Sequence, residues 1–231
     1  MSFLRRKRDN DNDLSETDAE PGESEQGSGW SSQEKPRPDG PFDIDDVTDE
    51  VTRIDFGALM VPAVDGMEIR LDVDDEGHIG AVAVVLAGTA LQLQVFAAPR
   101  TLGLWDEIRT EMRSGIGGSG GKVDEVDGPF GTELRAQLPV ASPDGKQIVQ
   151  PVRFLGVDGP RWFLRGVVTG PGGADPGAGA DIHEVFRKVV VVRGDTAAPP
   201  REPLLLSMPE DPALRPDDPV DTVDPVDPAA S

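Results

Sequence analysis

The sequence contains no cysteine, no tyrosine and only two histidines, and no apolar run approaches the ~18 residues that a membrane-spanning helix needs. Without cysteine there is no disulfide framework, and thiolate zinc, iron–sulfur and thiol chemistry are excluded. Any nucleophile–base pair would have to join Ser or Thr to His78 or His183, and no third group stands at a spacing that would orient either imidazole. Cations are also scarce: 22 Lys and Arg stand against 43 Asp and Glu in 231 residues, a net charge of −21. A chain of that sign repels phosphates, so no nucleic-acid partner is expected. Gly (27) and Pro (22) are plentiful instead, but Gly lacks the triplet spacing of collagen.

The acidity is uneven. Residues 1–50 hold six basic and 15 acidic residues, residues 51–200 hold 14 and 20, and residues 201–231 hold two and eight. High charge with little apolar surface cannot offset the entropy of ordering a chain. The pattern therefore predicts a disordered acidic arm over 1–50, a globular domain over 51–198 and a mostly disordered Pro/Asp-rich tail over 199–231. Arg5-Arg6-Lys7-Arg8 is read as a solvated basic cap rather than a membrane anchor, because Asp9–Asp13 follows it where a signal peptide needs an apolar stretch. A cytoplasmic location without membrane insertion is expected. Within the tail, Pro203–Pro209 is an apolar island, read as a last strand packed on the domain or as a linear motif.

Periodicity fills in the domain. Met67–Asp74 and Ala90–Phe96 alternate apolar and polar residues, as half-buried strands do, while Ile79–Leu86 is nearly all apolar. Leu104, Trp105, Ile108 and Met112 share one face at helical spacing, and the Gly115–Gly121 run ends that helix. Glu133–Leu138, Ile148–Leu155 and Arg161–Thr169 read as further strands, with Pro143-Asp144-Gly145 and Val157–Pro160 as turns. A second helix follows, with Asp181 and Glu184 as its capping pair, and Val189–Val192 fits either its end or a strand. The expected fold is α+β: a single antiparallel sheet of about six strands with two helices, ordered as two βββα halves.

Most tempting motifs fail on context. Gly115–Gly120 fits G-x-G-x-x-G, and Gly117–Gly121 fits G-x-S-x-G, but each motif needs a strand before it and a helix after it. Asp72–Gly77 begins like a calcium loop, yet Ala83 stands where the bidentate Glu is required, so an acidic hairpin turn is the better reading. No metal or cofactor is expected. Trp105 and Trp162 read as core anchors. Arg153, Arg161 and Arg165 form the one candidate cluster for an anion or partner surface. Cross-strand pairing with acids such as Glu133 or Glu68 is the plainer account of the same residues.

Phe96–Arg100, Gly103–Arg109, Gly128–Leu134, Arg153–Gly166 and Val189–Gly194 together resemble an actinobacterial family built on a domain of unknown function. The resemblance spans roughly Val51 to Pro209. It implies a soluble intracellular protein with a shared domain and variable acidic tails, and no catalytic residues carry over from it. The sequence thus points to a non-catalytic binding or adaptor module with an unidentified protein partner. The alternative is a small-ligand or anion-binding protein, or an enzyme, using the Arg-rich hairpin around Arg161.

Overall fold

The structure, a computed structural model, describes residues 39–101, 103–141 and 145–210. Arg5–Arg8, Trp30, Asp144 and the Asp-Pro repeat after Glu210 lie outside the described residues.

The first three long strands are those that alternation predicts: β4 (Glu68–Val73), β5 (Ile79–Leu86) and β6 (Thr89–Ala97). They form a meander, and Ala87 and Gly88, both at positive φ, make the tight turn between the last two. Helix α1 (Leu104–Gly118) then carries the chain to the far edge of the sheet, where β7 (Lys122–Gly128), β8 (Gly131–Ala141), β9 (Gln147–Gly159) and β10 (Trp162–Thr169) return by hairpins. Strand β10 closes antiparallel on β6, giving a seven-stranded sheet in the order β4-β5-β6-β10-β9-β8-β7.

A second sheet lies outside the single six-stranded expectation. Strands β1 (Phe42–Asp43), β2 (Arg53–Asp55), β3 (Leu59–Pro62) and β11 (Val190–Val191) assemble in the order β1-β11-β3-β2, with β1 parallel to β11. These strands span two to four residues, too short to show a period, which is why alternation does not reveal them. The two-βββα reading needs a matching correction. The second half has four strands before its helices, because β7 reads Lys-Val-Asp-Glu-Val-Asp-Gly and its charges hide an edge strand. Charge on an edge strand is a common guard against pairing with other chains. Residues 42–46, assigned to the acidic arm by charge, form β1 and a short 3-10 turn.

The two faces of the large sheet are covered unequally. On one, Val82, Val84, Leu91, Leu93, Val95, Leu155, Val157, Leu164 and Val168 join the small sheet and helix α3 (Ala180–Arg187) in the main core. Helix α3 begins at Ala180 without a side-chain cap, so the expected Asp181–Glu184 cap does not form. Before it, Pro171–Ala174 forms a one-turn helix, α2. On the other face α1 packs Leu104, Trp105, Ile108 and Met112 against Leu134, Phe154 and Phe163. Both indoles are about 1% exposed and their N–H groups are satisfied, Trp105 donating to the Thr132 carbonyl (2.7 Å) and Trp162 to Asp43 Oδ2 (2.6 Å). Gly156 seats α1: a Cβ there would overlap the Trp105 indole. Among the described residues, no helix is long and apolar enough to cross a membrane.

The last described segment completes the large sheet. Strands β5 and β6 pair only from Val82↔Leu93 to Leu86↔Thr89, and the gap beyond is filled by residues 201–206. Leu204 N–H donates to Val95 O (2.9 Å), Leu206 N–H to Ile79 O (3.2 Å) and Ala97 N–H to Glu202 O (2.8 Å). The apolar island thus docks on the domain, with Leu206 in the main core.

Candidate functional site

The three arginines singled out in the sequence do not converge. Strand β9 runs on through Gly159, so the hairpin turn falls at Pro160-Arg161 rather than at Val157–Pro160. Arg161 therefore sits in the turn at φ 61°, its Nη2 donating to the Gly194 carbonyl (3.3 Å). Arg153 lies opposite Val168 and faces the main core, whereas Arg165 lies opposite Gly156 and Gln94 on the α1 side of the sheet.

Arg153 is fully buried and belongs to a closed polar cluster. Its Nε and Nη2 form a fork onto Glu133 (3.1 and 2.7 Å), and Nη1 donates to the Gly172 carbonyl (3.3 Å) and to His183 Nε2 (2.8 Å). Arg135 donates to the same carboxylate (2.8 Å). Burial works against the Glu133 charge, but the hydrogen bonds from Arg153 and then Arg135 outweigh it and hold the carboxyl below its ordinary value. Burial and then the Arg153 cation push the His183 imidazole down, keeping it neutral with Nε2 free to accept. Every donor that points at an acceptor here is used, and the cluster pins α2 and α3 to the sheet. This is the cross-strand pairing with Glu133 that the sequence offered as the plainer account.

Arg165 has a different setting. On the α1 side, Trp105, Phe163 and Phe96 form a row of stacked rings with centroids 5.7 and 5.9 Å apart, Phe163 and Phe96 being direct cross-strand partners. A guanidinium caps each end: Arg109 lies 5.7 Å from the Trp105 ring and Arg165 lies 5.3 Å from the Phe96 ring. Among the described residues, the buried side-chain nitrogens without a hydrogen-bond partner are Nε of Arg109 and Nε of Arg165. Arg109 has Asp106 at 2.8 Å and Glu125 at 3.8 Å to balance its charge. Arg165 has no acid among the described residues; its Nη2 donates to the Gln94 side-chain carbonyl, and burial lowers its pKa.

Beyond that row the sheet lies open. Helix α1 covers the half formed by β8, β9 and the start of β10, leaving Ala83, Gln92, Gln94, Arg165, Val167 and Thr169 partly exposed. On the opposite face the intervening residues Leu91, Leu93, Leu164 and Val168 are wholly buried. The far rim of the open half is β4, with Glu68, Arg70 and Asp72, and Gln92 Nε2 reaches Asp72 Oδ2 at 3.5 Å across the small Ala83 strand. A site with this lining offers amide and guanidinium donors over a partly apolar floor.

A family model described as a protein of unknown function, DUF3710, matches residues 40–215. The chain belongs to that family. The match takes in every described strand and helix, including residues 201–206. No curated protein and no solved structure matches the chain.

Two further features bear on the site. Asp158 lies on the α1 side of β9, and its carboxylate accepts from the backbone N–H of Gly103 (3.2 Å) and Trp105 (3.2 Å), capping α1 from a distant strand. Nothing local in the sequence signals that role, since 53 positions separate Asp158 from Trp105. The glycine run, in contrast, sits where its context implied. Gly115–Gly118 closes α1 and Ser119 follows it, so the run lies at the negative end of a helix and cannot cradle a phosphate as a helix start does.

Proposed function

We propose that the chain is a non-catalytic binding module, and that its binding surface is the open half of the seven-stranded sheet. The observation that carries this reading is the unequal covering of β6 and β10. Their core-side residues are sealed, while Gln92, Gln94, Arg165, Val167 and Thr169 stand half-exposed beside α1. Half-exposed apolar and amide side chains mixed on a rigid sheet suit recognition, because the strands fix their spacing and little conformational entropy is lost on contact. The closed Glu133–Arg153–His183 cluster supports a structural task for the opposite face. An adaptor role for the domain follows from the same surface, with the acidic ends of the sequence adding solubility and steering.

The test is photo-cross-linking in the full chain, with a benzophenone side chain placed in turn at Gln92, at Thr169 and at Asp181 on the exposed side of α3. One and the same adduct is expected from Gln92 and Thr169 and none from Asp181. Adducts that are equal at all three positions, or absent from Gln92 and Thr169, overturn the reading.

A further inference from the structure

We propose that Arg165 anchors a carboxylate group on the open sheet face, with the Gln94 and Gln92 amides beside it. This rests on the reading of that face as a binding surface and names the chemistry it takes.

Arg165 stands apart from the charge pairing of the other arginines. Arg53, Arg70, Arg109, Arg113, Arg135, Arg153, Arg187 and Arg201 each have a carboxylate within salt-bridge distance. Arg165 is partly buried and has none among the described residues, in a chain with almost two acids for every base. A half-buried guanidinium without a counter-ion is costly to keep. Arg100, Arg161 and Arg193 also lack an acid among the described residues, but Arg100 is exposed and Arg161 and Arg193 donate to backbone carbonyls.

The guanidinium is also held ready. The Phe96 ring supports one face and Gln94 accepts from Nη2, so the plane is fixed; Nε is shut away from water without an acceptor, and Nη1, which is not shut away, has no hydrogen-bond partner among the described residues. Because Gln94 turns its oxygen toward Arg165, its NH2 group remains a donor. Planar guanidinium matched to planar carboxylate gives two parallel charge-assisted hydrogen bonds. The neighbours decide between anions. Asp72 lies against Gln92, and Glu68 stands on the same rim. Arg70 on that rim is paired with Glu68 (2.7 Å), so Arg165 is the cation of this face that lacks an acid among the described residues. With Asp72 nearby it suits a group of one negative charge better than a dianionic phosphate. The partly exposed Ala83 and Val167 suit the apolar carrier of an organic acid or an acidic side chain.

The carboxylate has two sources: a separate molecule, or the Asp residues at 217, 218, 221, 224 and 227 of this chain. Side-chain NMR on the full chain distinguishes them, with acetate, succinate and inorganic phosphate as probes at constant ionic strength. The companion chain is full-length with those five Asp changed to Asn. Saturable movement of the Arg165 Nε–H and Gln94 NH2 signals by acetate and succinate is expected in the companion chain. If the wild-type signals already sit at the shifted position, or need at least fivefold more acetate, the tail is the source. Equal responses in the two chains assign the site to a separate molecule. Arg165→Gln, with unchanged backbone amide dispersion, should weaken the Gln94 response at least tenfold.

The proposal is overturned by no saturable response in either chain, by tighter binding of phosphate than of both carboxylates, or by an Arg165→Gln chain that binds as well as wild type. If Gln92 and Thr169 still cross-link to one adduct under any of these results, the open-face reading stands and only its carboxylate chemistry fails.

Discussion

Glu133 and Arg153 are almost completely shielded from water, and each charge there depends on the other for its solvation. His183 is bound into the same pair as an acceptor, which makes it a titration point for the domain. Its folded-state pKa is held below the ordinary 6.5 by burial and by Arg153, with Arg187 adding to the effect and Glu133 and Glu184 opposing it. The folded state therefore binds this proton less readily than the unfolded chain. The stability due to His183 is complete above about pH 6.5 and is lost as pH falls below that toward the lowered folded value. Thermal unfolding followed by circular dichroism should show a midpoint that declines from pH 7 to pH 5, and His183→Gln should flatten that decline. The Glu133 contribution, from a depressed carboxyl, fades only at more acidic pH, so the two windows separate. At this scale the sequence showed residue types but not directions. The pairing of Arg153 with Glu133 was legible from strand neighbours, whereas Arg153 and Arg165 lie on opposite faces because Arg153 is opposite Val168, which alternates with Arg165 along β10. The move of the turn to Pro160-Arg161 shifts the partner of Arg153 along β10 without changing its face, since side chains alternate along both strands.

Among the elements, those with long apolar alternation were legible: β4, β6, β8, β10 and the buried stripe of α1 all follow from spacing. Strand β7 was not, because an edge strand is wet on much of its surface and its charges mimic a loop. The segment over residues 201–206 was only half legible, since an apolar island after a Pro pair fits a docked strand and a free motif equally well. The structure supplies what local pattern cannot, namely a gap between β5 and β6 of the right width. The energetic weight of that segment falls on alternate residues: Leu206 is 7% exposed in the core and Leu205 is 62% exposed. In urea unfolding, Leu206→Ala should cost about 2–4 kcal/mol, while Leu205→Ala should stay within about 0.5 kcal/mol of wild type. Equal losses at the two positions would show that the segment is not held by its inward face.

For the molecule as a whole, charge was the most legible property and its consequence is physical. Of the net −21, residues 1–50 and 201–231 carry −9 and −6. Like charges joined to a compact body repel one another and oppose compaction. The Debye length falls from roughly 30 Å at 0.01 M salt to roughly 8 Å at 0.15 M, so added sodium chloride should relieve that repulsion. The exposed pairs that salt also weakens, such as Arg70–Glu68, contribute little each. The melting midpoint of the full chain should therefore rise by a few degrees between these salt concentrations, and a fall would mean that surface pairs outweigh self-repulsion. What the sequence could not show at this scale is the second sheet, whose strands come from both ends of the domain and meet only when it closes.

The insertion of Leu204 and Leu206 between β5 and β6 also sets an order of events during synthesis. Ile79 and Val95 leave the ribosome long before the leucines that cover them, and Phe42 waits in the same way for Val190. A nascent chain halted anywhere between these points leaves the gap between the ends of β5 and β6 open, and the apolar residues beside it unsealed.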